Sequence, residues 1–149
     1  MSNPFPFVAG DVLTAAELNG IGEAWTSYTP VIKGGATTVT ATITYAKYAQ
    51  VNKVVFVRVN ATVTSAGAAN GIISISLPIN STSTGDMTNV GTFTVKDTGT
   101  AYYTGNAILS SQTVVGQSYN SGNYMGDASP TMTLANNDAV AFSICYEVA

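Results

Sequence analysis

Histidine is absent from this chain. That removes Ser-His-Asp and Cys-His catalysis, His-ligated zinc, haem held by a proximal histidine and a histidine pH switch. Cys145 is the sole cysteine, so neither an intrachain disulfide framework nor a multi-cysteine metal knuckle can form, and a small core position is the ordinary place for such a residue. The carboxylates stand singly: Asp11, Glu17 and Glu23 in the N-terminal segment, Asp86, Asp97 and Asp138 at turn signals, and Asp127 and Glu147 elsewhere. Capping and solvation are the usual work of acids in such places. A glycosidase pair would need two of them to converge on facing strands, and no spacing marks one. Gly116-Gln-Ser-Tyr-Asn120 departs from the nucleophile-elbow pattern at its last position and has no histidine to partner the serine; it reads as a loop. Asp86, Asp97, Asp127 and Asp138 neighbour Asn, Ser and Thr oxygens that suit a hard cation, but no EF-hand ladder is present. The expectation is a non-enzyme with no catalytic residue, no metal site and no cofactor.

The tyrosines carry more information. Tyr102, Tyr103, Tyr119 and Tyr124 lie in a glycine- and serine-rich stretch amid Asn106, Gln112, Gln117, Asn120 and Asn123. Tyrosine beside Asn and Gln composes surfaces that stack on sugars or pack on protein at little entropic cost; amphipathic packing at sheet edges explains the same residues equally well. Two sequons, Asn60-Ala-Thr62 and Asn80-Ser-Thr82, arise easily by chance in a chain so rich in these residues.

Charge is scarce. Only 9% of the 149 residues are charged, against about 25% in an ordinary soluble domain. Net charge is −3, and the five cations, Lys33, Lys47, Lys53, Arg58 and Lys96, are scattered, so no basic stripe tracks phosphates and nucleic acid is not an expected partner. If much of the nominal surface is buried between subunits, charge there would need costly desolvation, whereas Thr, Ser, Asn and Ala pack and hydrogen-bond readily. Assembly with itself is therefore expected. The N-terminus has no charged n-region and no continuous apolar h-region, which predicts no secretory signal. The uncharged stretches 59–85 and 98–126 are broken by polar residues and predict no membrane insertion.

Elements must position these residues. A chain of this length suits one domain, burying about two-thirds of its unfolded surface, with an appendage. Leu13-Thr-Ala-Ala-Glu-Leu18 matches a capping box with Thr14 as N-cap and Glu17 reaching back, stapled by Leu13 and Leu18. This predicts a short helix over 15–24, weakened by Gly20 and Gly22. Its apolar face, Leu18, Ile21 and Trp25, needs a surface on a neighbour or on this chain's own body. The same holds for the extended Phe5-Pro6-Phe7. From Thr37 the period changes to two: Val39 to Tyr45, Lys53 to Thr64, Ile73 to Leu77, Phe93 to Val95 and Val140 to Val148 read as strands. Weaker ones are predicted near 102–109, 112–116, 119–125 and 131–134. Turn signals at Gly34-Gly35, Ala69-Asn-Gly71, Thr84-Gly-Asp86, Asp97-Thr-Gly99, Ser121-Gly-Asn123 and Asn136-Asn-Asp138 separate them. Such spacing predicts a mainly β fold: an antiparallel, jelly-roll-like β-sandwich over 31–149, preceded by an N-terminal docking segment over 1–30 with a short helix and an extended stretch.

The segment Phe7-Val-Ala-Gly-Asp-Val-Leu-Thr-Ala-Ala-Glu-Leu-Asn19, followed by Trp25-Thr-Ser-Tyr-Thr-Pro30, resembles the N-terminal segment of tail-fibre and minor structural proteins of tailed bacteriophages. Tyr45, Val54-Val-Phe-Val-Arg58 and Ile73-Ser-Ile-Ser-Leu-Pro78 resemble the β-rich domain that often follows it. The resemblance covers about residues 5–80. It implies a virion-surface protein, commonly a homotrimer, docked on other virion structural proteins by its N-terminal segment and projecting its sheet domain, with no catalytic motif to carry over. Phe5, Phe7, Leu13, Leu18, Ile21, Trp25 and Tyr28 are then the docking residues, and Tyr102, Tyr103, Tyr119 and Tyr124 the residues for a host-surface glycan or a neighbouring subunit. A short tail fibre or spike-like adhesin is the leading expectation. A capsid decoration or head-fibre protein of the same fold is the first alternative, and a glycan-binding module the second. A polysaccharide depolymerase fits poorly, because such enzymes usually need a larger parallel β-helix and a carboxylate groove.

Overall fold

The period-two pattern becomes sheet almost throughout. A computed structural model describes residues 24–65, 69–82, 89–110, 113–118, 123–127 and 130–148. In chain order the strands are β1 (Thr26–Ser27), β2 (Ile32–Gly34), β3 (Thr37–Val39), β4 (Ala41–Val51), β5 (Val54–Val63), β6 (Ala69–Asn70), β7 (Ile73–Ser76), β8 (Asn89–Asp97), β9 (Ala101–Ser110), β10 (Thr113–Ser118), β11 (Thr133–Leu134) and β12 (Ala139–Glu147). Among the described residues there is no helix; the helix expected over 15–24 falls, but for Ala24, outside them.

The antiparallel β class is present in the form of one open, curled sheet, a half-barrel. Ten strands run in the order β1-β4-β5-β12-β8-β9-β10-β7-β2-β3, and β11 pairs with β6 apart from them. The curl follows from connectivity. β3 ends the sheet on one side and β4 lies next to the opposite end, yet Thr40 alone joins them, and a single residue spans at most about 7 Å between its neighbours' Cα atoms. The sheet must coil until the end of β3 comes near the start of β4 at Thr40. Thr64 N–H donates to Thr40 O at 2.8 Å, and Thr40 N–H donates to Ser65 Oγ at 3.1 Å, which pins the junction.

Coiling turns one set of alternate side chains inward. Val55, Val57, Val59, Ala61 and Val63 of β5 meet Val140, Phe142, Ile144 and Tyr146 of β12, with Phe93 and Val95 of β8, Ile73 and Ile75 of β7 and Ile32 of β2 in the same core. Phe93 stacks on Phe142 at 6.3 Å. Small residues on β9 and β10 make room for these rings: a Cβ on Gly116 would lie 2.5 Å from Phe93 Cδ1.

Three features depart from the sequence-based expectation. Simple alternation places Ile43 and Tyr45 on one face, but a β-bulge separates them. Ile43 opposes the buried Ala61 and Tyr45 opposes the outward Asn60, because the extra residue, Thr44, reverses the alternation. Asn123–Asp127 form turns and bridges instead of the weak strand expected over 119–125. There the backbone is tied across the chain by Gly126 N–H to Pro130 O and Gly71 N–H to Gly126 O. Finally, the sheet begins at Thr26, within the segment assigned to docking, since β1 pairs with β4.

Asp138 fastens two turns. It is 1% exposed, the one buried charged residue among those described. Its Oδ1 accepts from Thr98 N–H at 2.8 Å and its Oδ2 from Ala135 N–H at 2.7 Å, binding the β8–β9 turn to the β11–β12 turn. That is the capping role expected of acids at turn signals.

Candidate functional site: the outward face of β4, β5, β12 and β8

Register builds the outer face row by row. On the strands β4-β5-β12-β8-β9, one row reads Tyr45, Asn60, Ala141, Thr94 and Thr104, and the next reads Lys47, Arg58, Ser143, Thr92 and Asn106. Where these rows run together, Tyr45, Arg58, Asn60, Thr92, Thr94 and Ser143 line a shallow depression of about 370 Å³. Its floor is sheet backbone and the small side chain of Ala141.

The electrostatics of this patch are local and positive on an acidic protein. Lys47 and Arg58 are direct cross-strand partners, and Lys47 Nζ lies 5.6 Å from the centroid of the Tyr45 ring, within cation–π range. No acidic side chain pairs with Arg58 among the described residues. Glu147, on the same face of β12, lies roughly 13 Å along the strand from Ser143 at about 3.3 Å per residue. Two neutral hydroxyl threonines, a serine hydroxyl and an amide complete the lining, so the depression offers donors and acceptors, one aromatic ring and an unneutralised guanidinium. The described residues contain no group of three or more His, Cys, Asp or Glu placed to hold a metal ion.

Of the tyrosines picked from the sequence, Tyr102 and Tyr103 lie on opposite faces of the sheet. Tyr102 points outward, 71% exposed, with Lys96 Nζ 5.8 Å from its ring centroid. Tyr103, the next residue on β9, points inward and packs against the core, as strand alternation requires. Tyr124 is half-buried in the turn segment, and Tyr119 lies outside the described residues. Of the residues expected to dock, Phe5, Phe7, Leu13, Leu18 and Ile21 also lie outside them. Trp25 is 42% exposed just before β1. Tyr28 instead packs edge-on to Tyr48 at 6.1 Å and donates to Ser76 O at 3.5 Å, so its ring straddles the gap between the two ends of the sheet. Burial, with Tyr146 nearby, raises the Tyr28 phenol well beyond its ordinary range. Burial likewise pushes Tyr146 up to about 12, aided by Tyr48, and its hydroxyl donates to Ile79 O at 2.7 Å.

The depression was missed by sequence reasoning for a physical reason. Arg58 and Asn60 fall on the polar side of an alternating strand, which is indistinguishable from an ordinary solvated face. Tyr45 joins them only through the bulge, and Thr92, Thr94 and Ser143 only through long-range register. Comparison of the chain with protein families, curated proteins and solved structures returns no match, so the site stands on its geometry. What that geometry defines is a β-sheet module whose outer face carries a hydroxyl-lined depression beside two adjacent cations.

Proposed function

We propose that the protein is a structural protein of a bacteriophage virion surface, a short tail fibre or spike-like adhesin, with residues 1–30 docking on the particle and the β domain projecting to meet partners or host-surface glycans. The reading is non-enzymatic, and in it the curled sheet is a jelly-roll-like sandwich whose single core joins strands from both ends of the sheet order. One observation carries it: among Thr, Ser and Asn the outward face exposes the rings of Phe56, Tyr45 and Tyr102 and the Arg58 guanidinium, and aromatic and arginine side chains are the ones enriched in contact surfaces. The resemblance of residues 7–30 to phage tail-fibre N-termini supports the setting.

Mass spectrometry of purified particles from the phage that carries the gene, with antibody-labelled electron microscopy, tests this. The chain is expected in the particle, with label at the tail. Label on the capsid shell would replace the adhesin by a decoration protein. Particles lacking the chain would overturn both.

A further inference from the structure

We infer that the depression lined by Tyr45, Arg58, Asn60, Thr92, Thr94 and Ser143 is a binding site for an acidic sugar, a pyranose bearing a carboxylate. The inference rests on the reading of the β domain as a contact module and names the chemistry that this face takes. Its volume, about 370 Å³, lies at the small end of ligand pockets, which run from about 300 to 1,000 Å³, and suits a single sugar unit or two. Each lining group has a counterpart on such a ligand. The Arg58 guanidinium matches a carboxylate bidentately, and Lys47 beside it adds positive charge. Ring hydroxyls meet the Thr92, Thr94 and Ser143 hydroxyls and the Asn60 amide, groups that both donate and accept. The apolar face of a pyranose covers the Tyr45 ring.

Charge selects the acid over the neutral sugar. The chain is net negative, yet this face sets two cations side by side with no acid paired to them among the described residues. A patch serving only neutral packing would have no use for an unpaired guanidinium beside a lysine. A phosphate would accept from the guanidinium and the hydroxyls, but it has no apolar face to cover the Tyr45 ring on the same floor. The depression is open, so a single site binds weakly, and copies of the chain displayed together would supply avidity.

The test titrates the isotope-labelled full chain with sodium glucuronate, using glucose and sodium acetate as controls, and follows backbone amide shifts. Shifts at Asn60, Thr92, Thr94 and Ser143 are expected at lower glucuronate concentration than for either control, weakening with added salt. Arg58→Gln should raise the dissociation constant about tenfold or more, the loss expected of a charge-assisted pair. Thr94→Val, which keeps shape and charge, should weaken glucuronate binding and leave acetate unchanged. Amides that stay still with glucuronate, or move equally with acetate, overturn the proposal. So does an Arg58→Gln chain that keeps the dispersed spectrum and the affinity of the parent. Absence of the protein from particles would sink the virion reading while leaving this site intact; failure of the titration does the reverse.

Discussion

At the scale of single residues, a few polar side chains whose partners are backbone fasten the turns and ends of the sheet around its apolar core. Asp138 is buried and accepts from two N–H groups belonging to different turns. Replacing it by alanine leaves both donors unpaired in a dry place, at roughly 1–3 kcal/mol each. Asp138→Ala should therefore lower unfolding free energy by about 2 kcal/mol or more, read as a fall in the urea midpoint at constant slope. An unchanged midpoint would mean that water replaces the carboxylate without cost. The buried Tyr146 gives a pH signature. Tyr146 has a folded pKa near 12 against an ordinary value near 10, so above pH 10 the unfolded chain releases a proton that the folded chain keeps. Stability is then fully present below about pH 10 and falls as pH rises toward 12. Tyr146→Phe loses the hydrogen bond to Ile79 O but has no proton to lose. Its deficit against the parent at pH 8 should shrink by pH 11, as measured by paired denaturant titrations. A deficit that stays constant across that range would show the Tyr146 phenol to be ionised as easily in the fold as outside it.

At the scale of elements, the N-terminal strand tests where the domain begins. The composition break at Gly34-Gly35 points to a domain starting at residue 31, and Gly35 does make a turn there, at φ +58° with Asn70 O only 2.6 Å from where a Cβ would sit. That turn lies inside the β2–β3 hairpin. Upstream of it, β1 adds to β4 and Tyr28 packs on Tyr48. Removing residues 1–23 should leave the melt cooperative and its midpoint nearly unchanged, whereas removing 1–30 strips β1 and a half-buried tyrosine and should cost about 3–5 kcal/mol. Equal stability of the two truncations would place the boundary at residue 31 after all. Trp25 sits between these cuts and is only partly covered, at 42% exposed. Trp25→Ala should cost under about 1 kcal/mol of stability, and any larger effect should appear in particle incorporation, where exposed aromatics act as anchors. The strong alternations made the strands legible, above all Lys53 to Thr64 and Val140 to Val148, because one buried face imposes period two on the sequence. The bulge at Thr44 was not legible, and with it went the site. A bulge leaves no mark on a threonine-rich alternation, yet it decides that Tyr45 faces the same way as Arg58.

At the scale of the whole molecule, the deficit of charge and the shape of the sheet argue together for assembly. A monomer of this size normally keeps itself soluble with a mixed charged surface. Here the outward rows carry Thr, Ser, Asn and Ala, with Phe56 42% exposed and opposing Ala49 on one side and Cys145 on the other. Phe56 lies one outward step along β5 from Arg58, so the apolar row and the polar depression are adjacent on the same face. If that row is where copies meet, the depression lies at the rim of the interface, where polar groups ordinarily sit. The expected outcome in sedimentation at micromolar concentration is a homo-oligomer, a trimer being the prediction from the resemblance, for the full chain. Phe56→Asp should shift it toward a monomer that still melts cooperatively, since Phe56 is outside the core and its loss opens no cavity. A full chain that sediments as a 15.3 kDa monomer would remove subunit burial as the reason for its neutral surface. An oligomer that survives Phe56→Asp would move the interface off this row and onto another part of the chain.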